Sequence, residues 1–597
     1  MTAKQSNNQH TDAWHPGIKS SLPSEYLPLS SMFQPENVFS SIETATELSD
    51  FTGLAIQQLV FFRPERLVIH ELLIRVSADI FVSDGTRYED LGINFRNVVG
   101  RILSGYIEPE MAAICDLHVK LTQQAQSIIE QELSDSIFAQ SPVEKRRAGF
   151  SLSRLLGSGT KKKVPVAAES PEQREQRIIA SWDEKANSSE DRLAAAIFGE
   201  LARIARAIVA KHGRLRGDKA LLTTLATGLV CNNYGSEIIG EAIAPMVAQA
   251  AAQEGFPVLP AQTEPVVINV KGASASGKST MRPLQKKHTE KLGINWHDFA
   301  LISPDIWRKF LLDYDALGEA YKYAGTLVGD ELPIVDQKLD RYIAQKAGQG
   351  RISHLLIDRF RFDSFAPGKD TEEGSNLLTR FGHTVYLTFM VTPPEATVER
   401  AWIRGLQVGR FKAVDDLLDH NVEAFKGIPA LFFTWALRKD KIVYYEFLDN
   451  SVARGDKPRT IAFGVNGELN LLDFKCMFDI ERYTKINIEA HDPAGVYPPS
   501  EQMAYSLNAG FLVKCARQIP GINFVDRVSG SIYARMESGK MSWIDPDMIE
   551  RVLDDEAAIA AFSAMVPKFA ESTREFKQQA AVPLSDEAQL HTMGCLK

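Results

Sequence analysis

Five short runs of β-branched and aromatic residues alternate with helical stretches between residues 264 and 450, and this alternation limits the fold more narrowly than any other feature. The runs are apolar and cover residues 266–270, 299–302, 355–357, 385–391 and 442–448. Strands of this kind are buried on both faces, which is typical of a parallel sheet covered by helices. We therefore predict an α/β fold of three layers with a mainly parallel five-stranded sheet.

The regions on either side of this core show helical periodicity and changes in composition. They predict a flexible arm (1–50), a mostly helical domain (51–140), a basic flexible linker (141–172), a helical segment (173–258), the α/β domain (259–475) and a mostly helical C-terminal region (476–597). The linker carries two basic clusters, Lys145-Arg146-Arg147 and Lys161-Lys162-Lys163. Such clusters attract phosphate backbones, but they also keep a flexible tether solvated, and the sequence leaves both interpretations open.

Composition narrows the class of protein. The chain has 597 residues with 67 basic and 76 acidic side chains, a formal charge of −9, which is not typical of a protein that binds nucleic acid over its whole surface. The five cysteines show no CxxC spacing, which argues against a disulfide framework or a zinc cluster. No signal-peptide pattern and no apolar stretch near ~20 residues is present, so we predict a cytoplasmic protein without membrane contact.

A glycine-rich octapeptide, Gly272 to Ser279, follows the first apolar run and precedes a helical stretch. It fits the pattern GxxxxGK(S/T), in which glycines allow backbone amides to surround phosphate oxygens. The lysine adds a cation for the β- and γ-phosphates, the serine hydroxyl can ligate Mg²⁺, and the following helix directs its positive end at the anion. We predict that ATP or GTP binds with Mg²⁺ to Gly272, Ala273, Ser274, Ala275, Ser276, Gly277, Lys278, Ser279 and Thr280.

Two aspartates follow the second and third apolar runs. Asp305 stands three residues after the second run, and Asp358 directly follows the third. The carboxyl ends of parallel strands meet at the edge where α/β sheets bind ligands. We predict that Asp305 accepts the proton of a substrate hydroxyl, although it would also suit the N-cap of a helix that begins at Ile306. Asp358 is similar to a Walker B aspartate, and we predict that it holds Mg²⁺ together with Ser279.

Arginines supply the remaining candidates. Arg404 and Arg410 lie around a glycine-flanked turn after the fourth run, and this pattern suits a lid that closes over a transferring phosphate. A solvated basic helix face would contain the same residues. Arg359 and Arg361, close to Asp358, could face an anionic substrate or form salt bridges.

The ordered set of loop 272–279, Asp305, the "LLID" ending at Asp358, and the arginines Arg404 and Arg410 resembles the zeta-toxin kinases, the toxic half of bacterial epsilon/zeta systems. The resemblance covers residues from about 260 to 475. It implies a P-loop kinase core with Asp305 as base, and transfer of the γ-phosphoryl group to a hydroxyl of a small nucleotide-like metabolite such as UDP-N-acetylglucosamine. It further implies action as a toxin, with an antitoxin or another protein as partner.

The chain departs from that family at two positions. Asp358 stands where the family usually has glutamate, and Ile306-Trp307 follow Asp305 where a His-Pro pair is common. Related kinases act on NAD or on polynucleotide 5′-hydroxyl ends, so these acceptors stay open. A phosphotransferase with an alcohol acceptor is the expected enzyme class. A nucleotide-driven switch whose helical flanks regulate a partner protein is the alternative outside metabolism.

Overall fold

The computed structural model describes residues 11–87, 89–139, 169–359, 376–453, 455–566, 569 and 576–596. The chain divides into two compact units. The helical unit comprises Ser31–Leu72 and Leu103–Val247, and the sheet unit comprises Met1–Ser30, Leu73–Ile102 and Ala248–Lys597. The borders of these two units differ from the domain boundaries predicted from the sequence, because segments such as 73–102 pack with parts of the chain that are remote in sequence.

Eight α-helices of the described residues precede the first strand. They are α1 (Ile42–Thr52), α2 (Pro64–Asp79), α3 (Asp90–Ile102), α4 (Met111–Asp135), α5 (Pro171–Ser188), α6 (Arg192–His212), α7 (Lys219–Val230) and α8 (Ser236–Glu254). In the helical unit, Ile197, Leu201, Ile204 and Ile208 of α6 are buried in one hydrophobic cluster that also contains Trp182 of α5. The part of the predicted linker that carries both basic clusters, 141–168, lies outside the described residues, and α5 begins at Pro171.

The five predicted strands are present and pair with one another in parallel, whereas the other neighbour of the fifth strand, Arg459–Val465, is antiparallel to it. They are β1 (Val266–Lys271), β2 (Phe299–Ile302), β3 (His354–Ile357), β4 (Thr384–Val391) and β5 (Ile442–Asp449), in the order β2-β3-β1-β4-β5. Nearly every residue of these strands is buried, as their apolar composition requires. Their carboxyl ends therefore meet at one edge of the sheet, where the Asp358 amide donates to the Ile302 carbonyl (2.9 Å).

Helices cover both faces of these strands. The described α-helices that follow β1 in the chain are α9 (Arg282–Lys291), α10 (Arg308–Leu311), α11 (Ala324–Leu327), α12 (Glu331–Gly348), α13 (Asn376–Arg380), α14 (Pro394–Val408), α15 (Val414–Ala436), α16 (Phe474–Arg482), α17 (Gly510–Gln518), α18 (Pro546–Val552), α19 (Glu556–Met565) and α20 (Asp586–Leu590). In β4, Phe389 packs against Phe432 of α15, whereas Tyr386, on the opposite face, packs against His288 of α9. None of the described helices has both the length and the apolar composition of a membrane span.

Beyond β5 the sheet continues, to twelve strands in the described part of the chain. The added strands are β6 (Arg459–Val465), β7 (Glu468–Leu471), β8 (Gly521–Asp526), β9 (Ser531–Glu537), β10 (Lys540–Ile544), β11 (Lys577–Gln578) and β12 (Val582–Pro583). β6 and β7 form the hairpin expected at Asn466-Gly467, where both residues have positive φ. The prediction of a mostly helical C-terminal region omitted β8 to β12, because strands such as β9 mix exposed and buried residues and carry no long apolar run.

Residues 11–30 pack on the rest of the sheet unit, which corrects the prediction of a flexible arm over this stretch. Trp14 is 8% exposed, and its indole donates a hydrogen bond to Glu399 of α14 (3.0 Å). The Pro16 carbonyl accepts a hydrogen bond from Lys322 (2.8 Å). A segment anchored by a few isolated contacts has no hydrophobic periodicity, so its polar composition suggested mobility.

Candidate functional site

The glycine-rich loop connects β1 to a 3₁₀-helix, Lys278–Met281, that leads into α9. A Cβ atom on Gly272 would lie 2.7 Å from the Ser276 hydroxyl oxygen, and Gly277 has φ of 102°. Ala275 also adopts a left-handed conformation, with φ of 61°. Glycine is thus required at 272 by close packing and at 277 by backbone conformation. The tight turn matches the loop predicted from the sequence.

Two polar side chains at the ends of neighbouring strands hold this loop. Thr392, after β4, and Asn450, after β5, both donate hydrogen bonds to the Ser276 carbonyl, at 3.0 and 2.7 Å. Arg400 of α14 in turn donates to the Asn450 carbonyl (2.8 Å). The sequence analysis missed Thr392 and Asn450 as loop anchors. Their position directly after a buried strand, at the ligand-binding edge, was the available signal.

Lys278 extends into the loop. Its ammonium group donates hydrogen bonds to the carbonyls of Gly272 (2.9 Å) and Ala273 (2.8 Å). Burial lowers the pKa of Lys278 to about 8, against the opposing effect of the Asp358 and Asp305 carboxylates. The three predicted residues Lys278, Asp305 and Asp358 are therefore close enough to interact electrostatically.

Ser279 and Asp358 form a pair of hard oxygen ligands beside the loop. The Ser279 hydroxyl donates to Asp358 Oδ2 (2.7 Å), and Arg282 Nη2 lies 3.6 Å from the same oxygen. Mg²⁺ commonly takes one or two protein oxygens and completes its shell with water and substrate phosphates. The donor set at Ser279 and Asp358 fits that mode. No group of three or more His, Cys, Asp or Glu residues in the described ranges is arranged to enclose a metal by itself.

Asp305 lies just beyond β2 and is bound by two guanidinium groups. Arg308 Nε donates to Oδ1 (2.9 Å), and Arg410 Nη2 lies 2.6 Å from Oδ2. Burial alone would raise the pKa of Asp305, but the charges of Arg410 and Arg308 outweigh it and hold this pKa well below its usual range. The side chain keeps 39% of its surface exposed, so a ligand can reach it. Asp305 is therefore not the N-cap of a helix that begins at Ile306, because it lies inside the 3₁₀-helix Pro304–Trp307.

The turn between α14 and α15 brings Arg410 to Asp305. α14 ends at Val408 and is capped by Gly409, whose φ of 75° is left-handed, and a Cβ atom on Gly409 would collide with the Tyr321 hydroxyl. Phe411 packs directly on Gly405 and lies 5.5 Å from the Trp402 ring. The turn is therefore anchored on both sides.

Arg404 of α14 belongs to the same charged group. Its charge acts on the pKa of both Lys278 and Asp305, although burial is the largest effect for each. The predicted arginines Arg404 and Arg410 are thus brought together with the loop and the base candidate, rather than lying on a solvated helix face.

A second charged cluster, missed in the sequence analysis, adjoins these arginines. Lys412 Nζ lies 2.6 Å from His420 Nδ1 and 3.2 Å from Asp416 Oδ2. Asp416 and His420 lie one helical turn apart in α15, and Lys412 lies four residues before Asp416, just ahead of this helix; the regular spacing was the available signal.

The remaining predicted residues have local partners. Arg359 is 3% exposed and forms ion pairs with Asp336 and Asp340 of α12, both at 2.7 Å, so it is a structural residue. The Thr280 hydroxyl donates to the Gly277 carbonyl (2.6 Å). Arg361 lies outside the described residues.

Comparison with known proteins gives little further information. No family model and no curated protein matches the chain. Among solved structures, the chain is similar to one from the PezAT chromosomal toxin–antitoxin system of the human pathogen Streptococcus pneumoniae, with 16% identity, coverage of 35% of this chain and 75% of that chain, and a TM-score of 0.24. A likeness of this size suggests at most a distant relation and identifies neither fold nor activity.

Proposed function

We propose that the sheet unit is a P-loop phosphotransferase that moves the γ-phosphoryl group of ATP or GTP to a hydroxyl of a small nucleotide-like metabolite, such as a UDP-sugar. The observation that carries this proposal is the position of Asp305, a solvent-accessible carboxylate held by two arginines beside the loop lysine.

On the donor side, the amides of residues 272–279 and the Lys278 ammonium would bind the triphosphate. Ser279 and Asp358 would hold Mg²⁺, which neutralises charge on the β- and γ-phosphates when it is bound. The Arg404 guanidinium would add positive charge where the transferring group becomes more negative.

On the acceptor side, Asp305 would accept the hydroxyl proton. In the ligand-free protein its pairing with Arg410 and Arg308 makes it a weak base. Arg410 is attracted more strongly by a bound triphosphate than by a single carboxylate. Movement of Arg410 from Asp305 to the phosphate would therefore raise the pKa of Asp305 and increase its basicity when both substrates are present. This exchange links donor binding to activation of the base.

The proposal is tested by identifying the product. The purified protein is incubated with γ-labelled ATP and a metabolite extract, and labelled compounds are identified by mass spectrometry. A phosphorylated alcohol supports the proposal. Release of inorganic phosphate alone would contradict it and favour a nucleotide-driven switch. Label on oligonucleotide 5′ ends would retain the chemistry but replace the acceptor.

Lys278→Ala is expected to abolish both donor binding and phosphoryl transfer, because it removes the cation enclosed by the loop. Binding of a fluorescent ATP analogue measures the first effect, and labelled product measures the second. Lys291→Ala, at the far end of α9, is the control and should leave both unchanged. Normal analogue binding by Lys278→Ala would contradict the placement of the phosphates.

Gly409→Ala is expected to lower the transfer rate by about 10- to 100-fold, because the new methyl group would displace Tyr321 and shift Arg410 away from the reacting groups. Gly350→Ala is the matched control. Gly350 also has positive φ (65°) but has open space around its Cβ position. Both variants carry the same backbone strain, so equal activities would show that the Gly409 turn does not position Arg410.

A further inference from the structure

Residues 591–596, which we call the clasp, are remote in sequence from the glycine-rich loop but pack beside it. Met593 of the clasp is 5% exposed. It belongs to a small hydrophobic cluster whose other buried members are Val270, Met281, Met390 and Leu448. Val270 stands two residues before the loop 272–279, and Met281 stands two residues after it. The cluster therefore contains residues that flank the loop on both sides.

Met390 brings the same cluster into contact with the loop itself. A Cβ atom on Gly272 would lie 2.8 Å from the Cβ atom of Met390, so the loop backbone packs directly on this residue. Elsewhere the loop is held by Thr392 and Asn450, which follow β4 and β5 and donate to the Ser276 carbonyl. The loop is thus supported by apolar packing at Gly272 and by hydrogen bonds at Ser276.

A buried carboxylate holds the clasp at a fixed position on β5. Glu446 of this strand is 3% exposed and accepts hydrogen bonds from the amides of Met593 (2.8 Å) and Gly594 (3.0 Å). The Thr460 hydroxyl donates to the same carboxylate (2.6 Å). Burial raises the pKa of Glu446, and these three hydrogen bonds oppose the shift. The backbone at Met593 is therefore tied to the strand whose end carries the loop anchor Asn450.

The residues on either side of this anchor are also bound to the sheet. The ring of His591 stacks on Tyr444 with 3.7 Å between the ring centroids. The Cys595 amide donates to the Pro458 carbonyl (2.8 Å), and the Cys595 carbonyl accepts from the Thr460 amide (2.9 Å). Contacts before and after Met593 thus fix where its side chain enters the cluster.

We infer that Met593 is a positioning residue for the donor site, and that the clasp holds the loop 272–279 in the conformation that binds a triphosphate. This inference rests on the proposed function, because it takes the loop as the donor site. Truncation of a buried side chain leaves a cavity, and the surrounding residues relax into it only in part. Because Val270, Met281 and Met390 share the cluster, such relaxation reaches the loop at its flanks.

Loss of this support should weaken donor binding without slowing the chemical step. A loop that adopts its binding conformation in only a fraction of the molecules has an apparent Kd raised by the inverse of that fraction. Saturating ATP restores the occupied state, so the groups that react, including Asp305, are unaffected. The expected result is a higher KM for ATP at nearly constant kcat.

Met593→Ala is expected to raise the KM for ATP and the Kd of a fluorescent ATP analogue by about tenfold, which corresponds to a correctly formed loop in roughly one molecule in ten. The value of kcat should stay within about twofold of the wild type. Met593→Leu, which keeps most of the apolar volume, should restore both constants.

Met565→Ala is the matched control. Met565 of α19 is 4% exposed, as deeply buried as Met593, but lies outside the cluster beside the loop. This variant should lose a similar amount of stability in urea and keep wild-type donor affinity. Equal losses of affinity in Met565→Ala and Met593→Ala would reduce the effect to general destabilisation and overturn the inference.

Hydrogen exchange of the ligand-free protein gives a readout that does not depend on ATP. The amides of residues 273–281 should exchange faster in Met593→Ala than in the wild type or in Met565→Ala. Wild-type exchange and wild-type donor affinity in Met593→Ala would overturn the inference. If the wild type does not bind the ATP analogue, the proposed function fails, whereas the exchange comparison still decides the role of the clasp.

Glu446→Gln tests the clasp without truncating a side chain of the cluster. The carboxamide places an NH₂ group at one of the two oxygen positions, so either the Met593 or the Gly594 amide loses its acceptor. The same rise in KM and the same faster exchange of residues 273–281 are expected. Unchanged values in Glu446→Gln would contradict the anchoring of the clasp by this carboxylate.

Discussion

Replacing Asp305 by asparagine is expected to lower the rate of phosphoryl transfer by about 10²- to 10⁴-fold while ATP affinity stays within about twofold of the wild type. The amide cannot accept a hydroxyl proton, but the loop and the Ser279–Asp358 pair remain intact. Single-turnover transfer from labelled ATP measures the rate, and binding of a fluorescent analogue measures the affinity. Near-normal transfer by Asp305→Asn would show that another group is the base.

The matched control is Asp554→Asn, an exposed aspartate far along the chain, which should leave both quantities unchanged. The acid side of the pH profile gives an independent check. The pKa of Asp305 is held well below its usual range, so its carboxylate stays ionised above that range. The ratio kcat/KM reports the ligand-free protein, so acidification from pH 8 to 5 should cause no loss of kcat/KM through protonation of Asp305. A loss in this range with the same midpoint in the wild type and in Arg410→Gln would contradict the pairing with Arg410.

Replacing Arg359 by methionine is expected to lower the free energy of unfolding by about 3–5 kcal/mol, the usual cost of removing one partner from a buried ion pair. The change leaves Asp336 and Asp340, which are 3% and 2% exposed, without the guanidinium that they share. Urea unfolding monitored by fluorescence measures the loss.

Arg438→Met is the control for this prediction. Arg438 pairs with Asp440 through two hydrogen bonds of 2.7 Å, but its side chain is 41% exposed. Exposed pairs of this kind contribute about 0–1 kcal/mol. Equal losses of stability in Arg359→Met and Arg438→Met would show that burial does not control the strength of the Arg359 cluster.

Local patterns in the sequence predicted much of the sheet unit. Apolar runs identified β1 to β5, since strands buried on both faces need such runs, and Asn466-Gly467 identified the hairpin, since its turn needs positive φ. The same reasoning did not reveal residues 11–30 or the strands β8 to β12. Residues 11–30 are held by isolated contacts, and strands such as β9 mix exposed and buried residues, so neither leaves a periodic hydrophobic pattern in the sequence.

The sequence by itself determined the loop 272–279 and the succession of strand ends that carry Asp305 and Asp358, because glycine conformation and strand burial are properties of neighbouring residues. Only the tertiary structure decided which arginine serves which purpose. Arg359 lies in a buried cluster, whereas Arg410 reaches Asp305 across a gap of about a hundred residues in the chain. Ion pairs depend on distances between side chains that are remote in sequence, and those distances are set by packing rather than by any local pattern.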